Sequence, residues 1–279
     1  MNRRKFLSYV GCGCCGFILP SCTTTPITDR KQLSIIPESK LNAQAAKIYE
    51  KVKEKEKMSD DIKSLNQIKE IGKKMEDSIS EYFYRKKLDD PTANFDWEYI
   101  LIDNKKVRNA WCMPGGKIVF YTGILPIAAG ETGVAAIMGH EVAHALANHG
   151  QQRMSAGMIQ QAGAIGVAAA TNSKSSTEQR VWMQAYGVGS SVAGMLPFSR
   201  AHETEADEIG LYLMAIAGYN PDEAHKLWQR MKTNSGGEAP PEFLSTHPSN
   251  TSRIANLKSL SNQAKEEARK FGVTSFRSY

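Results

Sequence analysis

The sequence predicts a mainly helical α+β chain with a small antiparallel sheet beside one buried helix. Three observations predict it. Apolar residues recur every three or four positions over several long segments, the helical period. Residues 95–122 instead alternate and are rich in aromatic and β-branched types. Thr132 to Asn148 is apolar almost throughout, yet carries two histidines and a glutamate. Strand signals confined to one block between helical blocks describe segregated α+β architecture rather than alternating β-α-β units.

A chain of 279 residues can bury one sizeable core, and its 41% hydrophobic and 23% charged residues are those of an ordinary globular protein. The formal charge is +6, but Arg3, Arg4 and Lys5 supply three of those charges and residues 1–21 contain no acid. The remainder is about +3, which gives nucleic-acid binding no support.

Residues 1–21 read as an export signal: a basic start, then an apolar run from Phe6 to Leu19 that is too short for a confident transmembrane helix. Arg3-Arg4-Lys5-Phe6-Leu7 resembles the twin-arginine export motif, and an ordinary secretory signal with two arginines reads equally well. Leu19-Pro20-Ser21-Cys22 looks like a bacterial lipobox, with Cys22 acylated and residues 22–37 forming a polar tether to the membrane. Cleavage before Cys22 removes three of five cysteines and lipidation uses a fourth, so Cys112 alone remains and no intramolecular disulfide is expected. Thr23, where an aspartate would signal inner-membrane retention, points to the outer membrane.

Residues 38–279 then read as a single domain. Ser39 to Met58 carries an apolar stripe of Leu41, Ala45, Ile48 and Val52, and a second helix follows a cap at Asp60 or Asp61. Phe95–Ile102, Val107–Met113 and Lys117–Thr122 are the strands, with Pro114-Gly115-Gly116 as the turn between the last two. An edge strand of such a sheet can hold an extended peptide by main-chain hydrogen bonds; a purely structural meander is the alternative. The next helix ends at His149-Gly150, which places His149 off the face of the other two histidines. Gln151 to Gly194, rich in Gly, Ala, Ser and Met, suggests close helix packing, or a mobile cover. Helices over Ser199–Gly218, Pro221–Lys232 and Thr251–Phe271 complete the chain, with a flexible loop at Asn234–Glu242.

The chemistry lies in His140-Glu141-Val142-Ala143-His144. Histidines four apart on a helix share a face and can share one metal ion, and the glutamate after the first sits beside the metal's open position. Catalytic zinc sites add a third protein ligand. A third histidine at metzincin spacing fails, because Ala147 stands where glycine is needed and Gly150 where histidine is needed. Glu203, followed by Asp207 on the same helix face, fits the other solution. Glu203 would bind zinc, and Asp207 would accept the free N–H of a zinc histidine. This is the gluzincin arrangement of a zincin-like fold. Glu205 points elsewhere, and His202 and His225 read as surface or packing residues.

The H-E-V-A-H segment and Ser199-Arg200-Ala201-His202-Glu203-Thr204-Glu205-Ala206-Asp207-Glu208-Ile209-Gly210 together resemble the family forty-eight zinc metallopeptidases, which include HtpX and the CAAX-prenyl proteases. Pro114–Ile118, Thr246-His247-Pro248 and Arg253-Ile254 are also similar, and the resemblance runs from about Thr28 to Leu257, nearest the soluble bacterial lipoprotein branch. It implies a part for His247 by the metal, as a stabiliser of the substrate oxygen or as a fourth ligand that keeps the enzyme latent. It also implies that Arg253 supports that loop or binds substrate. The expectation is a zinc endopeptidase of the bacterial envelope, periplasmic and lipid-anchored, with one Zn2+ per chain, acting on unfolded or misassembled envelope proteins. Glu141 would be its general base. The rival is a zinc-containing chaperone or assembly factor whose peptidase activity is latent or dispensable.

Overall fold

The computed structural model describes residues 22–25, 27–233, 242–248 and 251–278. The export-signal segment and residues 234–241 of the predicted loop lie outside the described residues.

The described chain begins with a two-stranded antiparallel hairpin, β1 (Cys22–Thr24) and β2 (Lys31–Leu33). The segment read as a tether thus carries structure. Its polar residues find partners on the body of the protein: Gln151 donates its side-chain amide to the Ile36 carbonyl, and Gln152 donates to the Gln32 side chain at 2.8 Å. Helix α1 (Glu38–Lys55) buries Leu41, Ala45 and Tyr49. The predicted stripe included Ile48, which is 41% exposed. Tyr49 takes the inward position because its ring packs edge-on to Trp111, with centroids 6.4 Å apart. Helix α2 (Ile62–Lys86) starts at Asp61, whose carboxylate accepts from the Ser64 amide at 3.0 Å, and buries Ile68, Ile71, Met75 and Ile79.

Strands β3 (Glu98–Ile102), β4 (Ala110–Met113) and β5 (Lys117–Tyr121) form a three-stranded sheet in the order β3-β5-β4. The Pro114–Gly116 turn makes β4 and β5 antiparallel as expected, but β3 runs parallel to β5, so the sheet is mixed. The physical reason is burial. Lys117 through Phe120 are all buried, so β5 belongs in the centre, and the chain after β3 must pass to the far edge before turning back. β4 is left as an edge strand.

After a short helix α3 (Leu125–Ala128), α4 (Glu131–Leu146) runs through the middle of the core. Every residue from Thr132 to Leu146 is buried, as a helix apolar on all sides requires. It ends earlier than predicted. Asn148 adopts a left-handed conformation (φ 55°), which asparagine tolerates better than most residues, and His149 opens the next helix rather than closing this one.

Helix α5 (His149–Ala170) and α6 (Ser176–Ser190) form a hairpin whose helices bury only His149, Gln151, Gln152 and Ser155, at its base, with Thr171 buried in the connection. The expected close packing holds between the two helices, where Tyr186 donates to the Gln160 carbonyl at 2.8 Å, but the outer faces are exposed. A π-helical turn at Ser191–Met195 leads into α7 (Leu196–Ile216). Helices α8 (Asp222–Thr233), α9 (Glu242–Thr246) and α10 (Thr251–Lys270) follow. Among the described residues no helix is long and apolar enough to cross a membrane.

α4 and α7 meet at a pair of glycines. A Cβ on Gly210 would lie 2.9 Å from the His140 backbone nitrogen, and one on Gly139 would lie 2.9 Å from the Gly210 carbonyl oxygen. Only hydrogen fits on either side of this contact, which brings the two helices carrying the polar residues to backbone distance.

Candidate metal centre

α4 supplies His140, Glu141 and His144; α7 supplies Glu203 and Asp207; the residue just past α9 is His247. His247 is held from two directions. Its amide donates to the Phe243 carbonyl at 2.8 Å, and the Phe243 amide donates to Arg108 in the β3–β4 connection at 3.2 Å. Phe243 is fully buried between Trp228 and the His247 ring.

One ligand atom each from His140, His144, Glu203 and His247 falls within a single group whose members all lie within 4.8 Å of one another. His140 Nε2 is 3.1 Å from His144 Nε2, 3.3 Å from His247 Nδ1 and 3.4 Å from Glu203 Oε2. Glu203 is 3.5 Å from His144 Nε2 and 3.1 Å from His247 Nδ1. Ligands about 2.0 Å from one centre at tetrahedral angles stand roughly 3.3 Å apart, so these separations fit a zinc-sized tetrahedral site.

The surrounding groups set the histidine protons consistently with that fit. Asp207 Oδ1 lies 3.0 Å from His140 Nδ1, near enough to favour a ring proton on Nδ1 although the contact is poorly aligned for a hydrogen bond, and Nε2 faces the centre. Arg253 grips Asp207 with two bonds, Nε to Oδ2 at 2.8 Å and a terminal nitrogen to Oδ1 at 2.7 Å. Its other terminal nitrogen reaches the Pro248 carbonyl at 2.9 Å and Glu203 at 3.1 Å, and its guanidinium lies 4.3 Å above the Trp228 ring. Arg253 therefore joins the carboxylates of α7 to the loop that carries His247.

Charge supports a cation here. Glu141, Glu203 and Asp207 are all buried and face one guanidinium, a balance that a divalent ion completes. Burial alone would raise the Glu203 pKa, but hydrogen bonds from His140 and His247 hold it well below the ordinary carboxylate range. Burial opposes the charged form of His140 as well, yet Asp207 and Glu203 push its pKa up to about 9. His144, whose burial is aggravated by its histidine neighbours, is held well below the usual imidazole value.

Glu141 stands at the rim of the cluster. One carboxylate oxygen is buried without a well-aligned hydrogen bond, with His247 Nε2 3.3 Å away. The Cys112 backbone amide of β4 lies near the same carboxylate and favours its charged form, so the edge strand passes beside it. Burial raises the Glu141 pKa and outweighs the opposing His247 and His140.

The structure brings together His140, Glu141, His144, Glu203, Asp207, His247 and Arg253, all singled out in the sequence. Cys22 begins β1, remote from them in the chain. Sequence reasoning missed His149, Glu205 and His202. His149 is completely buried, with Nδ1 2.9 Å from His144 Nδ1 and Nε2 3.0 Å from Glu205. His202, which the sequence left between surface and packing, is a packing residue: it is buried and stacks on His149 with ring centroids 4.1 Å apart. A continuous helix would carry His149 away from His144; the break at Asn148 turns it back. The one available signal was Glu205, a defined position of the α7 motif with no partner assigned.

A model of Peptidase family M48 matches residues 68–261. The chain is 36% identical over 167 residues to the mitochondrial metalloendopeptidase OMA1 of Saccharomyces cerevisiae, covering 58% of this chain and 46% of that protein. It is 28% identical over 184 residues to the beta-barrel assembly-enhancing protease of Escherichia coli K12, covering 60% and 35%. The match to the mitochondrial metalloendopeptidase OMA1 of Homo sapiens is 28% over 187 residues, covering 62% and 34%. The chain spans less than half the length of each of these relatives.

Proposed function

From the premise that the chain belongs to peptidase family M48, we propose that it is a zinc-dependent endopeptidase of the bacterial cell envelope acting on unfolded or misassembled proteins there. The observation that carries the chemistry is the convergence of His140 Nε2, His144 Nε2 and the Glu203 carboxylate beside the buried, poorly bonded Glu141.

His140, His144 and Glu203 would hold the metal, with Asp207 and Arg253 fixing the orientation of His140 and Glu203. The ion supplies Lewis acidity that polarises a carbonyl and eases deprotonation of water. Glu141 accepts the proton of the attacking water and delivers it to the leaving amine nitrogen. Its raised pKa brings it nearer the working range of such a base. A substrate strand paired to the free edge of β4 would carry its scissile carbonyl past Glu141, since Cys112 of that strand lies near the carboxylate.

His247 bears on latency. A catalytic metal needs an open position, and a fourth protein donor closes it. With Nδ1 inside the donor group and Nε2 3.3 Å from Glu141, His247 could serve as the fourth ligand of a bound metal and would then compete with a substrate oxygen. That geometry favours a resting state that opens when the Glu242–Pro248 segment moves. It also keeps alive the chaperone reading, in which proteolysis is dispensable.

The envelope location rests on the lipobox reading of Cys22, the export-signal reading of residues 1–21, and likeness to a bacterial beta-barrel assembly-enhancing protease. The deciding experiment is Glu141→Gln. It should retain zinc and lose casein hydrolysis; normal hydrolysis by that variant would refute the mechanism. A deletion phenotype rescued by Glu141→Gln would favour the chaperone.

A further inference from the structure

Glu205 has no part in the donor group, yet among the described residues it accepts four side-chain hydrogen bonds. Its Oε1 accepts from the Thr25 hydroxyl at 2.8 Å and from the Thr28 hydroxyl. Its Oε2 accepts from Arg30 Nε at 2.7 Å and from His149 Nε2 at 3.0 Å. Three of these four donors come from the N-terminal hairpin, and the fourth touches His144. Arg30 also donates to Gln152 at 2.9 Å, 122 residues along the chain, and Gln152 in turn donates to the Ala147 carbonyl at 2.6 Å, just past the end of α4.

The protons along this path admit one arrangement that leaves His144 able to bind a metal. His144 Nε2 faces the donor group and must present a lone pair, so its proton sits on Nδ1 and is donated to His149 Nδ1. His149 then carries its own proton on Nε2, which points at Glu205. Glu205, surrounded by donors, is acceptor only. Each ring is thereby fixed in tautomer and in angle by the next group outward, while Asp207 stands beside His140 Nδ1 on the other side.

We propose that His149 and Glu205 position the metal ligand His144, and that the N-terminal hairpin, through Thr25, Thr28 and Arg30, locks this path and is part of the metal site. The proposal rests on the metal-binding reading of His140, His144 and Glu203. It makes the two zinc histidines equivalent in support, one backed by Asp207 and Arg253, the other by His149, Glu205 and Arg30.

The test is zinc affinity of the full chain, by competition with a chromophoric chelator, and the visible spectrum of the cobalt(II)-loaded protein. His149→Phe keeps a flat ring to stack on His202 but removes both hydrogen bonds, and should weaken zinc binding about 10- to 100-fold. His149→Asn, whose side-chain oxygen can replace Nδ1 as acceptor, should recover part of that loss. Arg30→Met leaves every metal-facing residue in place and should weaken zinc binding by about tenfold. His149→Phe should also shift the cobalt bands, a change that mere loss of packing would not cause. Zinc held equally by the wild type and His149→Phe would overturn the proposal, and so would unchanged binding by Arg30→Met. A wild-type chain that takes up no zinc would instead overturn the metalloenzyme reading itself.

Discussion

Replacing Gly210 with alanine strikes the contact on which the site is assembled. The new Cβ would lie 2.9 Å from both the Gly139 carbonyl carbon and the His140 nitrogen, and 3.0 Å from the Gly139 oxygen. Ordinary contacts to a Cβ begin at 3.4 Å, so α4 and α7 must separate by about half an ångström. Because every opposing atom is backbone, no side chain can rotate away, and the cost belongs at the upper end of overpacking, about 3 kcal/mol. Alanine returns about 1 kcal/mol in helix propensity, leaving a net loss of about 2 kcal/mol. For a domain of this size that lowers the melting temperature by roughly 4–8 °C. The assay is calorimetry of metal-free protein, followed by zinc titration, since the displaced backbone includes the amide of His140. Gly166→Ala is the matched control. It lies in α5 with nothing within 4 Å of its Cβ, so it should gain up to about 1 kcal/mol. If Gly210→Ala melts like the wild type, or gains stability as Gly166→Ala does, the close-approach argument is wrong.

His247→Ala should accelerate hydrolysis of a small peptide by freeing the fourth position; a fall in rate would instead give His247 a part in holding the substrate oxygen. Glu131, at the start of α4, accepts from Tyr219 at 2.8 Å and lies near Lys74 and Arg277, which together outweigh burial and lower its pKa. A depressed carboxylate contributes stability that is present above its unfolded pKa of about 4.3 and lost as pH falls through the folded value. Glu131→Gln should therefore have a lower urea midpoint than the wild type at pH 7, with the two curves converging below about pH 4. Parallel curves down to the lowest pH would contradict this. Cys22→Ala should move the protein from the membrane fraction to the soluble fraction; continued membrane association would remove the lipid-anchor reading.

Much of this molecule is written locally. Glu141, the two histidines and the Glu203–Asp207 pair are legible because helical spacing alone puts each set on one face. α2 is legible from its capping aspartate and regular stripe, and the β4–β5 hairpin from its Pro-Gly-Gly turn. What the local pattern does not carry is the partner of each face. Tyr49 displaces Ile48 from the core because Trp111 is waiting for it. β5 becomes central, and β3 parallel to it, because its residues must be covered on both sides. His149 joins His144 because one left-handed asparagine redirects the chain. The sequence by itself determined the donors and the spacing at which they could share an ion. Only the tertiary structure decided how their rings are aimed, since aim depends on hydrogen bonds from residues far away in the chain. For His144 that support comes through His149 and Glu205 from an N-terminal hairpin that reads, in sequence, as nothing more than a tether.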